Sequence, residues 1–488
     1  MESRMMLNPN LDPFGPAPVG TSLHKDYFQL TRSAWNNFVE QPHSTELVLR
    51  HIMLNGDCIS YLASSIRESK AKPQKLSLTF STVHESVHLD DLTELFQTSS
   101  IQMLKCHGMC SGIFARGRVI VPILKSVGSS NHSNIRELNI GFVDLWIDPE
   151  HLVPSYEHHQ VVSSEILNDP FYIRDTLINC PISSLELFVC NLNIGTSRVL
   201  GEGMRGHRFL KKIVLNACSI DTEMLDSMIS YGLGFSNPKC LVHLECLELP
   251  RNELDHLALP ILGDFIQSQP HLRHLDLSEN NLFRHAYHRT PAALHAFCQS
   301  VAKSSLQSLV LRRVQLVNQA AKSLFQSLEG SSTTLKELYM EANPIQDGEW
   351  LNSIPKINCL THLSVEPVGG LSPARAVETF GRNTQLKWLH LGGAPKNAYC
   401  MMERNQFLEK AIDHHHNHNL PVHLWPDAIS KIAHSRTGMN LEAIYEFVQQ
   451  TCTELTPGNK ANSPTVPLAQ LCTMNRRRRS PSIEFECE

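Results

Sequence analysis

The chain has 488 residues, of which 42% are hydrophobic and 19% charged, with a formal net charge of −5. This is an ordinary soluble globular composition. Its charge balance gives no global pull toward nucleic acid or an anionic membrane, so electrostatic binding must come from local patches.

In chain order, residues 1–20 carry Asn8, Asn10, Asp12 and several prolines, and they lack the apolar core of a signal peptide. The most apolar windows, such as residues 119–124, fall far short of the ~20 residues a membrane helix needs. The expectation is a protein of the cytoplasm or nucleus that contacts no membrane. The 14 cysteines include no CxxC pair, which argues against a zinc finger and for reduced, buried thiols. Residues 1–25 read as disordered. Residues 26–43 read as an amphipathic helical cap carrying Phe28, Leu30, Trp35 and Phe38.

A repeat follows. Its first copies are Leu47/Leu49, Leu76/Leu78, Ile101/Leu104/Cys106 and Ile135/Leu138/Ile140, then Ile182/Leu185/Leu187/Cys190. The wide step from Ile135 to Ile182 leaves room for an insertion at about residues 146–181. Next come four full matches to LxxLxLxxN/CxL, set by Leu210/Ile213/Leu215/Cys218, Leu244/Leu247/Leu249/Asn252, Leu272/Leu275/Leu277/Asn280 and Leu335/Leu338/Met340/Asn343. Leu306/Leu309/Leu311, Leu360/Leu363/Val365 and Leu386/Leu389/Leu391 complete about twelve strands, although Val368 and Ala394 occupy Asn slots and Gly370 an aliphatic one. Between strands lie stretches of helical apolar periodicity. One holds Leu257, Leu259, Ile261, Leu262, Phe265 and Ile266; others hold Ala293 to Val301 and Ala320 to Leu328.

Units of about 28 residues with a full helix resemble the ribonuclease-inhibitor-like subclass of leucine-rich repeats. The resemblance implies an α/β solenoid, a horseshoe with a parallel β-sheet on the concave face and α-helices on the convex face, over residues 44–399. In each strand the leucines alternate with variable positions, so one set enters the sheet–helix core and the other faces outward. Asn252, Asn280 and Asn343 read as structural residues that pair otherwise unsatisfied backbone groups of neighbouring turns.

Beyond the repeats, residues 400–455 read as a helical carboxyl-terminal cap containing Trp425, Ile429, Ile432, Leu441, Ile444, Tyr445 and Phe447. Residues 456–488 read as a flexible tail with a basic run. That run, Arg476, Arg477, Arg478, Arg479 and then Ser480, has the composition of a nuclear-import or phosphorylation segment, and equally of a solvated charge run. Gly201, Gly203 and Gly206 match GxGxxG but sit far from the preceding strand, so the motif reads as a loop. The histidines at 414–416 and 418 read as a polar linker rather than a metal site, and Asn131 as a bare sequon.

The outward strand positions supply the candidate partner-binding residues. In order these are Glu248, Arg251, His274, Asp276, Glu279, Arg312, Arg313, Glu337, Tyr339, Glu341, Glu366, Trp388 and His390. The stripe reads as predominantly acidic with aromatic anchors, a composition suited to binding another protein. No catalytic constellation, P-loop, cofactor or metal site is expected. The leading expectation is a monomeric, non-enzymatic interaction module or scaffold for a protein partner, with nucleic acid disfavoured and no small-molecule substrate. Activation of a Ran-like small GTPase is an alternative from proteins with similar repeats, and a ubiquitin-ligase substrate adaptor a further one.

Overall fold

A computed structural model describes residues 23–391, except 42, 84–86, 109–119, 130–132, 144, 146–170, 206, 234–242, 330–332, 372–374, 376–378, 381–384. The chain divides into two compact units, residues 1–406 and 407–488, and all described residues belong to the first. The expected carboxyl-terminal cap, the basic tail, the histidine-rich segment and Asn131 lie outside the described residues.

Twelve strands form one parallel sheet in strict chain order. They are β1 Glu46–Arg50, β3 Lys75–Thr79, β5 Met103–His107, β6 Glu137–Gly141, β7 Ser184–Phe188, β8 Lys212–Asn216, β9 Cys246–Glu248, β10 His274–Asp276, β11 Ser308–Val310, β12 Glu337–Met340, β13 His362–Val365 and β14 Trp388–Leu391. Two short strands, β2 Met53–Leu54 and β4 Thr82–Val83, pair beside the first turns. Helix α1 is Leu23–Glu40. Between successive sheet strands run α2 Gly56–Glu68, α3 Leu89–Thr98, α4 Val121–Ser129, α5 Tyr172–Asn179, α6 Ile194–Met204 and α7 Thr222–Met228. These are followed by α8 Ala258–Ser268, α9 Ala286–Arg289, α10 Pro291–Lys303, α11 Asn318–Leu328 and the 3₁₀ helix Glu349–Lys356. Parallel neighbours need such crossovers, and a sequential strand order makes the chain a solenoid.

The alternation of the strands sets the two faces. Leu47, Leu76, Leu104, Leu138, Leu185, Ile213, Leu247, Leu275, Leu309, Leu338, Leu363 and Leu389 stand side by side in the sheet and are buried. They meet apolar helix faces such as Leu259, Leu262, Phe265 and Ile266 of α8. Helix starts are fixed locally: the side chains of Asn55, Asn193 and Asp221 accept from the backbone N–H three residues on, at 2.9, 2.9 and 2.8 Å.

Each turn leaves backbone groups that no helix or strand pairs, and the Asn slot satisfies them. Asn252 Oδ1 accepts from Cys218 N and Ile220 N, while its Nδ2 donates to Leu215 O at 2.7 Å. Asn280 accepts from Leu254 N and donates to Leu249 O and Leu277 O. Asn343 accepts from Val314 N and Leu316 N and donates to Leu311 O at 2.7 Å. Thus each Asn bridges to the preceding repeat, as its position in the motif implies. Cysteines in the same slot keep half the job: Cys190 Sγ donates to Ile140 O and Cys218 Sγ to Leu187 O. Hydrogen bonding to Cys218, together with burial, pushes the Cys190 thiol well above its usual range. In the second repeat Ser81 serves, donating to Leu49 O and accepting from Ile52 N.

To aim the slot residue inward, the residue before it turns left-handed. His51, Phe80, Phe142, Val189, Ala217, Arg251, Glu279, Arg313 and Ala342 all have φ between 49° and 58°. This conformation costs an L-residue ~1–2 kcal/mol, and slot hydrogen bonds hold it where the next residue is Ser81, Cys190, Cys218, Asn252, Asn280 or Asn343. Among the described residues, Gly108 fills that position with a glycine. A Cβ there would stand 2.6 Å from the Phe80 ring, so the glycine lets the ring lie over the chain.

Several expectations change in detail. The stretch expected as an insertion holds a repeat helix, α5, which packs between α4 and α6; residues 146–170 lie outside the described residues. Gly201 and Gly203 are not in a loop. They belong to α6, and a Cβ on Gly203 would meet Arg174 Cα at 3.0 Å, so the small residues there permit close packing on α5. Leu257, expected on the buried helix face, precedes α8 and is exposed. On α1, Trp35 and Phe38 enter the core beside the first repeat, whereas Leu30 faces outward. Val368 is exposed and fills no slot; its N–H instead donates to Ile345 O.

Asn280→Ala removes both partners of buried backbone groups in two adjacent turns. It is expected to cost about 2 kcal/mol, read as a lower urea midpoint. An unchanged midpoint would show that water or backbone adjustment replaces the amide.

Candidate interaction surface

The outward positions form two rows across the sheet. One row runs Lys212, Cys246, His274, Ser308, Glu337, His362 and Trp388. The second runs Lys105, Asn139, Glu186, Val214, Glu248, Asp276, Val310, Tyr339, Ser364 and His390. Strand register therefore brings the expected residues Glu248, His274, Asp276, Glu337, Tyr339, Trp388 and His390 onto one face.

Over β5 to β9 this face carries a continuous polar chain. Asn139 Nδ2 donates to Glu186 Oε2 at 2.8 Å, which turns its oxygen toward His107 Nε2, 2.5 Å away. Lys212 Nζ donates to Glu186 Oε1 at 2.7 Å and lies 3.9 Å from Glu248. Cys246 Sγ donates to Glu248 Oε1 at 3.4 Å. Burial, and next the Glu248 charge, push the Cys246 thiol up to about 12, so the shared proton stays on sulfur. Burial also holds the His107 imidazole below its usual range, with Lys105 adding to the effect against the Asn139 hydrogen bond.

Over β12 to β14 the face is aromatic. The Trp388 ring lies 6.3 Å from Tyr339, 6.2 Å from His362 and 6.1 Å from His390, and it is 41% exposed. Arg312 stands over the Tyr339 ring at 5.0 Å and grips Glu341 through Nε and a second nitrogen at 2.8 and 3.1 Å. Ser364 also donates to Glu341. Burial raises the Glu341 carboxyl, but these hydrogen bonds outweigh it and hold the group below the usual carboxylate range.

The rest of the expected set sits elsewhere. Arg251, Glu279 and Arg313 are the left-handed residues at the end of their strands, where Glu279 pairs with Arg251 at 3.3 Å and with Arg313 at 4.0 Å. They form a charged rim, not part of the face. Glu366 follows β13 and is exposed. The face is also less acidic than its list of residues suggests. On the face Glu248 has Lys212 and Glu341 has Arg312, and on the rim Glu279 has two arginines. Sequence reading missed Lys105, His107, Asn139, Glu186 and Lys212 because it took outward positions only from Glu248 onward. The same alternation, applied to β5 through β8, identifies all five. It also missed a run of exposed apolar rim residues, Phe80, Phe142 and Val189.

The sheet, the slot ladder and the helix layer define the class: a leucine-rich-repeat solenoid. No family model and no curated protein matches this sequence. Among solved structures, the crystal structure of a TLR13–ssRNA13 complex is similar over 71% of this chain and 52% of that chain, at 14% identity and a TM-score of 0.32. The match spans about half the length of that neighbour. No described helix is long and apolar enough to cross a membrane.

Because Glu341 is held below its ordinary range, the stability from its pair with Arg312 is complete above the unfolded carboxyl value of about 4.3 and is lost as pH falls through the lower folded value. A double-mutant cycle on Arg312→Gln and Glu341→Gln is expected to give about 1 kcal/mol of coupling at pH 7, limited by the half-open arginine. The coupling should fade as pH falls through the folded carboxyl value, below the unfolded one. Coupling that does not change with acidification down to the acid unfolding of the chain would contradict a charge-based pair.

Proposed function

We propose that the open sheet face from β9 to β14 is a docking surface for another protein, and that the chain is a non-enzymatic recognition module of the ribonuclease-inhibitor-like subclass. The observation that carries the reading is the Trp388 cluster. A tryptophan, a tyrosine and two histidines converge on one outward patch, flanked by an arginine already oriented by a carboxylate. Large rigid side chains beside a pre-positioned arginine lose little conformational freedom on binding, and such residues dominate measured binding energies. The subclass is supported by helices between most strand pairs, including turns whose sequence match is weak, such as α3 and α4. The eight cysteines among the described residues are all free, which supports a reducing compartment, the cytoplasm or nucleus.

The partner can be isolated by affinity purification with mass spectrometry and its affinity then measured directly. Trp388→Ala and Tyr339→Ala are each expected to weaken binding by about 30-fold or more. Leu257→Ala, on the exposed start of a helix, should leave it unchanged. Full affinity in both aromatic variants would place the contact elsewhere.

A further inference from the structure

The sheet register creates a donor set that no local sequence spacing announces. Cys246 and Glu248 are outward residues of β9, and His274 is the partner of Cys246 on β10. One ligand atom from each, a thiol sulfur, a carboxylate oxygen and an imidazole nitrogen, all lie within 4.8 Å of one another. We propose that Cys246, Glu248 and His274 form a three-ligand site for a borderline-soft divalent cation of the zinc class, with its fourth coordination position open to the sheet face.

Geometry and donor chemistry carry the assignment. Tetrahedral zinc, with bonds of about 2.0–2.3 Å, sets its ligand atoms about 3.3–3.8 Å apart. The Cys246 Sγ to Glu248 Oε1 separation of 3.4 Å already meets that spacing, and the cation takes the place of the proton those atoms share. The imidazole closes the set by an adjustment of about 1 Å, within reach of a side-chain rotation. Mixed S, N and O donors favour zinc-class ions over magnesium or calcium, which take oxygen alone. All three residues are partly exposed, so the fourth position can hold water or a side chain from another molecule.

The local charge agrees. Lys212 lies 3.9 Å from Glu248, but its ammonium is paired to Glu186 at 2.7 Å. Asp276, beside Glu248 in register, adds a further negative charge. A cation therefore enters a surround of three carboxylates and one ammonium. The site shares a face with the aromatic cluster, yet it does not depend on that face binding a protein, and its test uses the metal alone.

Cobalt(II) is the probe, because a thiolate ligand gives it an intense near-ultraviolet charge-transfer band and tetrahedral coordination gives visible d–d absorption. The full reduced chain, titrated with cobalt, should show one equivalent of both, displaced by zinc. The histidines at 414–416 and 418 can bind cobalt but contribute no thiolate band. Cys246→Ser should abolish the band, while His274→Ala and Glu248→Gln should each weaken cobalt binding at least tenfold. Far-ultraviolet circular dichroism should be unchanged in all three. Absence of a thiolate band in the unmodified chain, or its full retention in Cys246→Ser, overturns the site.

Discussion

A solenoid turn buries backbone that neither its strand nor its helix can pair, and the rest of this structure depends on how that backbone is satisfied. In six of the described repeats one polar residue, Ser81, Cys190, Cys218, Asn252, Asn280 or Asn343, turns inward and takes such groups. Asn252, Asn280 and Asn343 do so completely, each reaching the carbonyl of the repeat before it. An unpaired buried amide group costs ~1–3 kcal/mol, so the ladder decides whether adjacent repeats stack. It also dictates the left-handed residue just before each slot, and through it the direction of the exposed rim. The strain of those residues and the hydrogen bonds that hold them are parts of one device.

The outward face follows from the same constraint. The register of all twelve strands is shared, and every outward side chain gains a fixed neighbour on the next repeat. Single residues become rows. In the first half of the sheet the rows carry a polar chain from His107 to Cys246, and in the last three strands they carry aromatic rings around Trp388. Neighbouring repeats supply countercharges to Glu186, Glu248 and Glu341, so part of the acidity of the face is offset locally. On the proposed reading, short-range contacts at the aromatic end carry the docking.

The fold was legible in the chain because its signal is periodic. Twelve apolar pairs from Leu47/Leu49 to Leu389/Leu391 mark the strands, and the spacing between them marks the helices. What periodicity does not encode is the pairing of charges across strands. Glu341 reads as a free acid in its own repeat, yet its partner Arg312 stands 29 residues earlier. Lys212 and Glu248 are separated in sequence and joined by register in the same way. The Cys246, Glu248 and His274 cluster has no metal-binding spacing at all, since it arises only when β9 and β10 lie side by side. Gly203 was misread for a related reason: its role is set by the approach of α5, which local sequence does not show.

The central claim is that recognition uses the sheet face, and oxidative footprinting of side chains in the presence of the isolated partner tests it most directly. Trp388 and Tyr339 report on the face, whereas exposed Tyr231 and Tyr287 lie in the segments between strands. The account predicts strong protection of Trp388 and Tyr339, with Tyr231 and Tyr287 oxidised as in the free chain. Protection of Tyr231 and Tyr287 with Trp388 unprotected would contradict it.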